Sequence, residues 1–111
     1  MIEFKLIKLL KYNIINLYEI EILNKKIKFG IIKFNFDLNK EEVYILNLEI
    51  SNNYNYAKYG LELLKNMEYI IKKSYNIKKS FIENSYLSDK LLKILIENKY
   101  IYTSKYMYKI L

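Results

Sequence analysis

The side chains able to move protons in this sequence are few in kind. The chain has 13 tyrosines and 12 acidic residues but no histidine and no cysteine, so an imidazole base, a thiolate nucleophile and the Cys/His spacings of zinc sites are all excluded. Its cations are 19 lysines, and arginine never occurs. Lysine is a mobile point charge without the planar fork that grips phosphate or guanine in two places, which weighs against sequence-specific nucleic-acid recognition. One stretch interleaves rings and charge: Tyr54, Tyr56 and Tyr59 alternate with Asn55 and Lys58. Such a run could stack single-stranded bases while neutralising phosphates, or its tyrosines could simply cover the start of a helix. Lys72, Lys73, Lys78 and Lys79 read as a solvated face near a helix end, where cations complement the dipole.

These groups need elements to position them, and the composition bounds what those can be. The 111 residues carry a formal charge of +7, 52% hydrophobic residues, only 2 glycines and no proline. This is too apolar for a disordered tail, and no apolar run reaches the roughly 18 residues of a membrane span. Met1-Ile2-Glu3-Phe4-Lys5 lacks the basic, apolar and small-residue succession of a signal peptide, so a cytoplasmic location is expected. Lys, Asn, Ile and Tyr share A/T-only codons, so nucleotide bias accounts for part of the surplus. A basic surface still concentrates anionic ligands. No linker or repeat divides the chain, and one domain over 1–111 is expected.

Hydrophobic periodicity gives the order. Ile2, Phe4 and Leu6 fall on one side of a first strand, with Glu3 and Lys5 on the other. Tyr18, Ile20 and Ile22, a polar turn at Asn24-Lys25-Lys26, then Ile32, Phe34 and Phe36 predict a hairpin. After a break over 38–42, Tyr44, Leu46, Leu48 and Ile50 predict a further apolar face, with Asn47 and Glu49 pointing away. Beyond Ser51-Asn52-Asn53 the period changes: Gly60, Leu63 or Leu64, Met67 and Ile70 or Ile71 predict a helix running to about Ser74. Residues 77–83 suit a strand. Ser88 can cap a helix carrying Leu91, Leu92, Leu95 and Ile96, which Asn98-Lys99 ends, and 100–111 supply one or two closing strands. The order β-β-β-β-α-β-α-β is a meander followed by helix crossovers, an α+β fold.

The segment Ile50-Ser51-Asn52-Asn53-Tyr54-Asn55-Tyr56-Ala57-Lys58-Tyr59-Gly60-Leu61-Glu62-Leu63-Leu64 resembles the cofactor motif of the GNAT acetyltransferases, in which a strand passes through a glycine-rich turn into a helix. The likeness extends over 24–111, through residues 77–84, Ser88 to Leu95 and a closing turn with Lys99 and Tyr100 where the family has Gly-Phe. It implies a shortened GNAT-like mixed sheet with a degenerate acetyl-CoA motif. Asn55 stands where the family has Arg or Gln, Lys58 at the first glycine and Gly60 at the last. The resemblance implies that the amides of Asn55, Tyr56, Ala57, Lys58, Tyr59, Gly60 and Leu61 hold the pyrophosphate of acetyl-CoA, using the exposed N–H groups and positive end of a helix. It implies further that the fourth and fifth strands splay, so that backbone at Leu48 and Ile50 pairs with the pantetheine arm. Glu49 would be the base. Ile96 occupies the position of the family's acidic tyrosine, so Tyr100, or else Tyr86, would supply the proton.

The family places two helices between its first and second strands, and residues 8–13 are too few for them. An acceptor side left open in this way fits a protein amine better than an enclosed small molecule. The expectation is therefore a minimal N-acetyltransferase acting on a protein amine. The alternatives are a non-catalytic interaction module on the same fold, such as a small phage or mobile-element inhibitor of the anti-CRISPR kind that docks on a nuclease, and an RNA- or single-strand-binding domain using the Lys/Tyr surface. A tyrosine-rich closing strand would also allow a homodimer.

Overall fold

The computed structural model describes residues 1–9 and 16–111. Among these the strands are β1 (Ile2–Lys8), β2 (Leu17–Asn24), β3 (Ile27–Asp37), β4 (Glu42–Ile50), β5 (Lys79–Glu83), β6 (Ile101–Tyr102) and β7 (Tyr106–Ile110). The helices are α1 (Tyr56–Tyr75) and α2 (Asp89–Glu97). One mixed sheet runs β1-β2-β3-β4-β5-β7-β6, with β1 to β4 an antiparallel meander and β5 parallel to β4. This is the α+β order expected from periodicity.

The apolar residues of the central strands gather on one face. Ile20, Ile22, Ile32, Phe34, Val43, Ile45 and Ile82 are buried there under both helices. α1 turns Leu63, Leu64, Met67 and Ile71 onto that face. Asn55 caps its start by accepting the Lys58 amide at 3.0 Å, and Asn76 ends it in the left-handed region with φ 56°. α2 begins at Ser88, whose hydroxyl accepts the Leu91 amide at 3.2 Å, and buries Leu91, Ile94 and Leu95. The two helices meet at Gly60, where an added Cβ would lie 2.6 Å from Ile94 Cδ1 and 3.3 Å from Leu48 Cδ2. The opposite face of the sheet carries no α-helix among the described residues.

Two expectations change. The pattern put Tyr44 and Leu46 on the face of Leu48. Instead the β3–β4 register steps from Phe34↔Ile45 to Lys33↔Asn47, so Leu46 is the extra residue of a bulge. Val43, Ile45 and Leu48 are consequently buried, while Tyr44, opposite Asn35, stands on the uncovered face. On β1 the predicted alternation holds, yet Ile2, Phe4 and Leu6 remain 36–39% exposed along the sheet edge. The 8–13 stretch lies mostly outside the described residues; β1 pairs with β2 from Ile2↔Asn24 to Lys8↔Tyr18.

Candidate functional site

The parallel contact between β4 and β5 covers only Glu42, Val43 and Tyr44 against Lys79, Ser80 and Phe81. Past Tyr44 and Phe81 the strands part, β4 continuing to Ile50 and β5 to Glu83. The bulge at Leu46 lies at the start of this V and adds local twist to the departing strand.

On the helix side, the starts of α1 and α2 border the V. Tyr56 crosses it: its hydroxyl donates to the Leu48 carbonyl at 3.2 Å, and Lys90 Nζ lies 5.7 Å from its ring centroid. Burial pushes this phenol above its ordinary pKa, the charge of Glu49 adds to the effect, and a hydrogen bond with Ser88 opposes it. Within the first turn of α1, Asn55 takes the Lys58 amide and the Tyr59 amide bonds the Asn55 carbonyl at 3.1 Å. The amides of Tyr56 and Ala57 have no protein acceptor among the described residues. The Lys58 ammonium lies 5.1 Å from the centroid of the Tyr59 ring. Gly60 is buried, and Leu61 is half-buried against the core. Leu48 and Ile50 share the helix face of β4 as the alternation predicts.

On the uncovered side, a cleft of about 560 Å³ opens at the same point. Tyr44, Phe81, Tyr86 and Tyr106 line it together with Glu42, Glu83 and Asn35. Tyr44 donates to Glu42 Oε1 at 2.5 Å; burial, followed by this carboxylate, pushes its phenol up to about 12. Glu49 is exposed on this side of the β4 arm, where it accepts from Asn47 Nδ2 at 3.0 Å.

Glu49 and Tyr100 are not brought together. Tyr100 is buried on the helix side, with its hydroxyl 2.9 Å from Glu68 Oε2 and 2.6 Å from Ser80 Oγ. Asn98 Nδ2 and Lys109 Nζ also reach the Glu68 carboxylate, each at 2.9 Å, completing a buried polar cluster. Desolvation, then the charge of Glu68, raises the Tyr100 pKa well above its ordinary value. Ile96 is exposed on α2, and Tyr86 alone of the proposed acids lines the cleft. The tyrosines of the ring-and-lysine run are packed rather than displayed: Tyr54 stacks on Phe29 at 3.8 Å and Tyr59 meets that ring edge-on at 5.1 Å. Sequence reading missed Glu42, Tyr44, Phe81, Glu83 and Tyr106. The bulge hides Tyr44, Glu42 is brought in by the β4–β5 register Glu42↔Lys79, and Phe81, Glu83 and Tyr106 converge through the β5–β7 register, Phe81↔Tyr108 and Glu83↔Tyr106.

No helix among the described residues is long and apolar enough to cross a membrane. No group of three His, Cys, Asp or Glu among them is placed to share a metal ion.

No protein-family model matches the chain, and no curated protein matches its sequence. Solved structures do match its shape. The PaiA N-acetyltransferase of Thermoplasma acidophilum, in complex with coenzyme A, superposes with a TM-score of 0.76 at 17% identity, over 86% of this chain and 62% of that one. The ribosomal-protein-S5-alanine acetyltransferase of Vibrio fischeri gives 0.70 at 10% identity, over 85% and 61%. The ribosomal-protein-S18-alanine N-acetyltransferase of Escherichia coli gives 0.70 at 8% identity, over 85% and 67%. The chain thus spans less than two thirds of the first two of these structures. With a parallel β4–β5 contact that opens into a V beside the start of a long helix, the fold of this chain is that of the GNAT N-acetyltransferases.

Proposed function

We propose that this chain binds acetyl-CoA along the V between β4 and β5 and transfers the acetyl group to an amine presented by a protein. The observation that carries this reading is the separation of β4 from β5 after three paired residues, with the first turn of α1 beside the longer arm. The residues fit the coenzyme at its charged end. Two first-turn amides, of Tyr56 and Ala57, are without protein acceptors, and the dipole of a 20-residue helix favours an anion there. The Lys58 ammonium rests over the Tyr59 ring. Along the arm, the carbonyl of Leu48 is engaged by Tyr56, so the pantetheine arm needs that phenol to swing away.

When bound, acetyl-CoA supplies the activated acyl thioester. The chain's own residues receive the amine on the uncovered face and take its proton. Glu42 at the start of β4 and Glu83 at the end of β5 are the carboxylates lining the cleft, Glu49 is exposed farther along the β4 arm, and Tyr86 is one of the phenols of the lining. The lack of an α-helix on this face among the described residues suits an acceptor carried by a macromolecule, and two of the structural neighbours are ribosomal-protein acetyltransferases. A calorimetric titration with acetyl-CoA tests the reading: a saturable 1:1 isotherm supports it, and absence of heat up to high micromolar ligand removes it.

A second reading is favoured by one observation. The Tyr56–Leu48 bond fastens the arm that the coenzyme would use, as expected if the scaffold serves as a non-catalytic module, including an inhibitor of the anti-CRISPR kind. That reading requires a stoichiometric protein complex whose effect survives removal of acetyl-CoA and the Glu49→Ala substitution.

A further inference from the structure

We propose that the outer edge of β1 is a dimerisation surface, on which β1 of a second copy of this chain pairs antiparallel in the register that sets Phe4 against its own counterpart. β1 ends the sheet on one side, and no strand among the described residues pairs with its outer edge. The other end is β6, whose two residues, Ile101 and Tyr102, offer too short a ladder. The β1–β2 register runs unbroken from Ile2↔Asn24 to Lys8↔Tyr18. Neither a proline nor a bulge interrupts β1, so two common barriers to the addition of a neighbouring strand are missing.

The hydrogen-bonding phase of this edge is fixed at its ends. The Met1 carbonyl accepts the Lys25 amide at 3.3 Å, and the Leu9 amide donates to the Leu17 carbonyl at 2.8 Å. Odd-numbered residues therefore direct their main-chain groups at β2, and Ile2, Phe4, Leu6 and Lys8 point theirs outward. The side chains of Ile2, Phe4 and Leu6 stand opposite Asn24, Ile22 and Ile20 on the helix face, yet stay 36–39% exposed. Ile2 and Phe4 border an open groove of about 450 Å³ with Tyr59 and Glu62 of α1.

Charge selects both the occupant and the register. With Phe4 facing Phe4 of the second copy, Ile2 faces its Leu6 and Glu3 faces its Lys5. The outward groups of Ile2, Phe4 and Leu6 then form hydrogen-bonded pairs, each exchanging both of its bonds. Glu3 and Lys5 fall in the intervening pairs, where side chains approach most closely, and the twofold repeats their attraction. Sliding by two residues one way sets Glu3 against Glu3, and the other way Lys5 against Lys5, so neither neighbouring register in the same phase is favoured. The twofold axis lies normal to the sheet, joins the two sheets into one and turns both uncovered faces the same way. Nothing in this inference rests on the acetyl-transfer reading.

Sedimentation equilibrium on the whole chain, without coenzyme, is the test. The unaltered chain should show a monomer–dimer equilibrium with a Kd below about 1 mM. Glu3→Lys alone or Lys5→Glu alone, both at exposed positions, sets like charges opposite each other and should weaken the dimer about tenfold. The double variant Glu3→Lys, Lys5→Glu restores opposite charges and should recover the original Kd, which general damage to the strand would not allow. An equimolar mixture of the two single variants should recover it as a heterodimer. Because the chain has no cysteine, an introduced thiol reports the register. Phe4→Cys should give a disulfide-linked dimer under mild oxidation, whereas Leu6→Cys should not, since its counterpart lies four residues along the strand, about 13 Å away. A chain still monomeric at about 1 mM would overturn the proposal and leave the edge to a strand of another protein. Single variants that dimerise as well as the unaltered chain, a double variant that fails to recover, or equal cross-linking at positions 4 and 6 would overturn it too.

Discussion

The phenol of Tyr56 donates to the main-chain oxygen of Leu48 across the opening between β4 and α2. A net hydrogen bond contributes about 1 kcal/mol, or roughly fivefold in an equilibrium. If a ligand along β4 displaces this bond, Tyr56→Phe should bind acetyl-CoA about fivefold more tightly, and Tyr56→Ala more tightly still. Calorimetry on the three proteins checks this. Unchanged affinity in Tyr56→Phe would show that bond and ligand do not compete.

The first turn of α1 separates backbone from side-chain contributions. Lys58 gives its amide to Asn55 while its ammonium rests over Tyr59. Lys58→Ala should therefore change coenzyme affinity less than about twofold, because an exposed cation near a solvated phosphate contributes little. Asn55→Ala should lower stability by about 1 kcal/mol through loss of the helix cap. Urea denaturation measures the second effect and titration the first; a large affinity loss in Lys58→Ala would place its ammonium on the phosphate.

Tyr100 provides a contrast between a structural and a chemical role. Its hydroxyl belongs to the buried cluster with Glu68 and Ser80, so Tyr100→Phe should cost about 1–2 kcal/mol of stability. Acetyl-transfer rate per folded molecule should stay unchanged. A large fall in kcat with stability intact would instead make Tyr100 an acid in the reaction.

Alkaline pH tests the phenols further. The native Tyr44 pKa lies near 12, against an ordinary 10.0, so between those values the folded chain retains a proton that the unfolded chain has lost. Its stabilising contribution is complete below pH 10 and declines as pH rises towards 12. Tyr100 is shifted in the same direction by burial and Glu68. Denaturation midpoints should thus fall above about pH 10, and less steeply in Tyr44→Phe. An equal slope in both proteins would mean that the Tyr44 phenol titrates normally.

The fold was legible because burial on one face imposes a simple period. Ile20 and Ile22 opposite Ile32 and Gly30, and the Leu63, Leu64, Met67, Ile71 stripe, are patterns that solvent exclusion writes directly into the chain. The opening of β4 from β5 came from resemblance to a family, not from periodicity. The cleft was not legible at all. One extra residue at Leu46 reverses the phase of β4, and a phase reversal leaves no mark in a hydrophobic count. Tyr106 reaches Phe81 only because β7 returns beside β5, a pairing that a linear pattern does not specify. The surroundings of Tyr100 were hidden for the opposite reason: its position matched a motif, while its partner Glu68 lay 32 residues away.

The two glycines separate packing against backbone from packing against a side-chain end. A Cβ on Gly30 would lie 2.8 Å from the Glu49 carbonyl oxygen, 2.6 Å from Ile50 Cδ1 and 2.9 Å from Ile22 Cγ2. The carbonyl belongs to the neighbouring strand and cannot rotate away, so β3 and β4 would have to separate where Glu49 is held. At Gly60 the closest atom is the terminal methyl of Ile94, and alanine gains about 1 kcal/mol of helix propensity over glycine, which offsets part of the clash. Gly30→Ala should therefore lose about 1–3 kcal/mol, and Gly60→Ala distinctly less. Urea midpoints at constant m-value measure both. A larger loss at Gly60 would mean that the contact between α1 and α2 is the less yielding of the two, and that the start of α1 owes its position to α2 more than to β4.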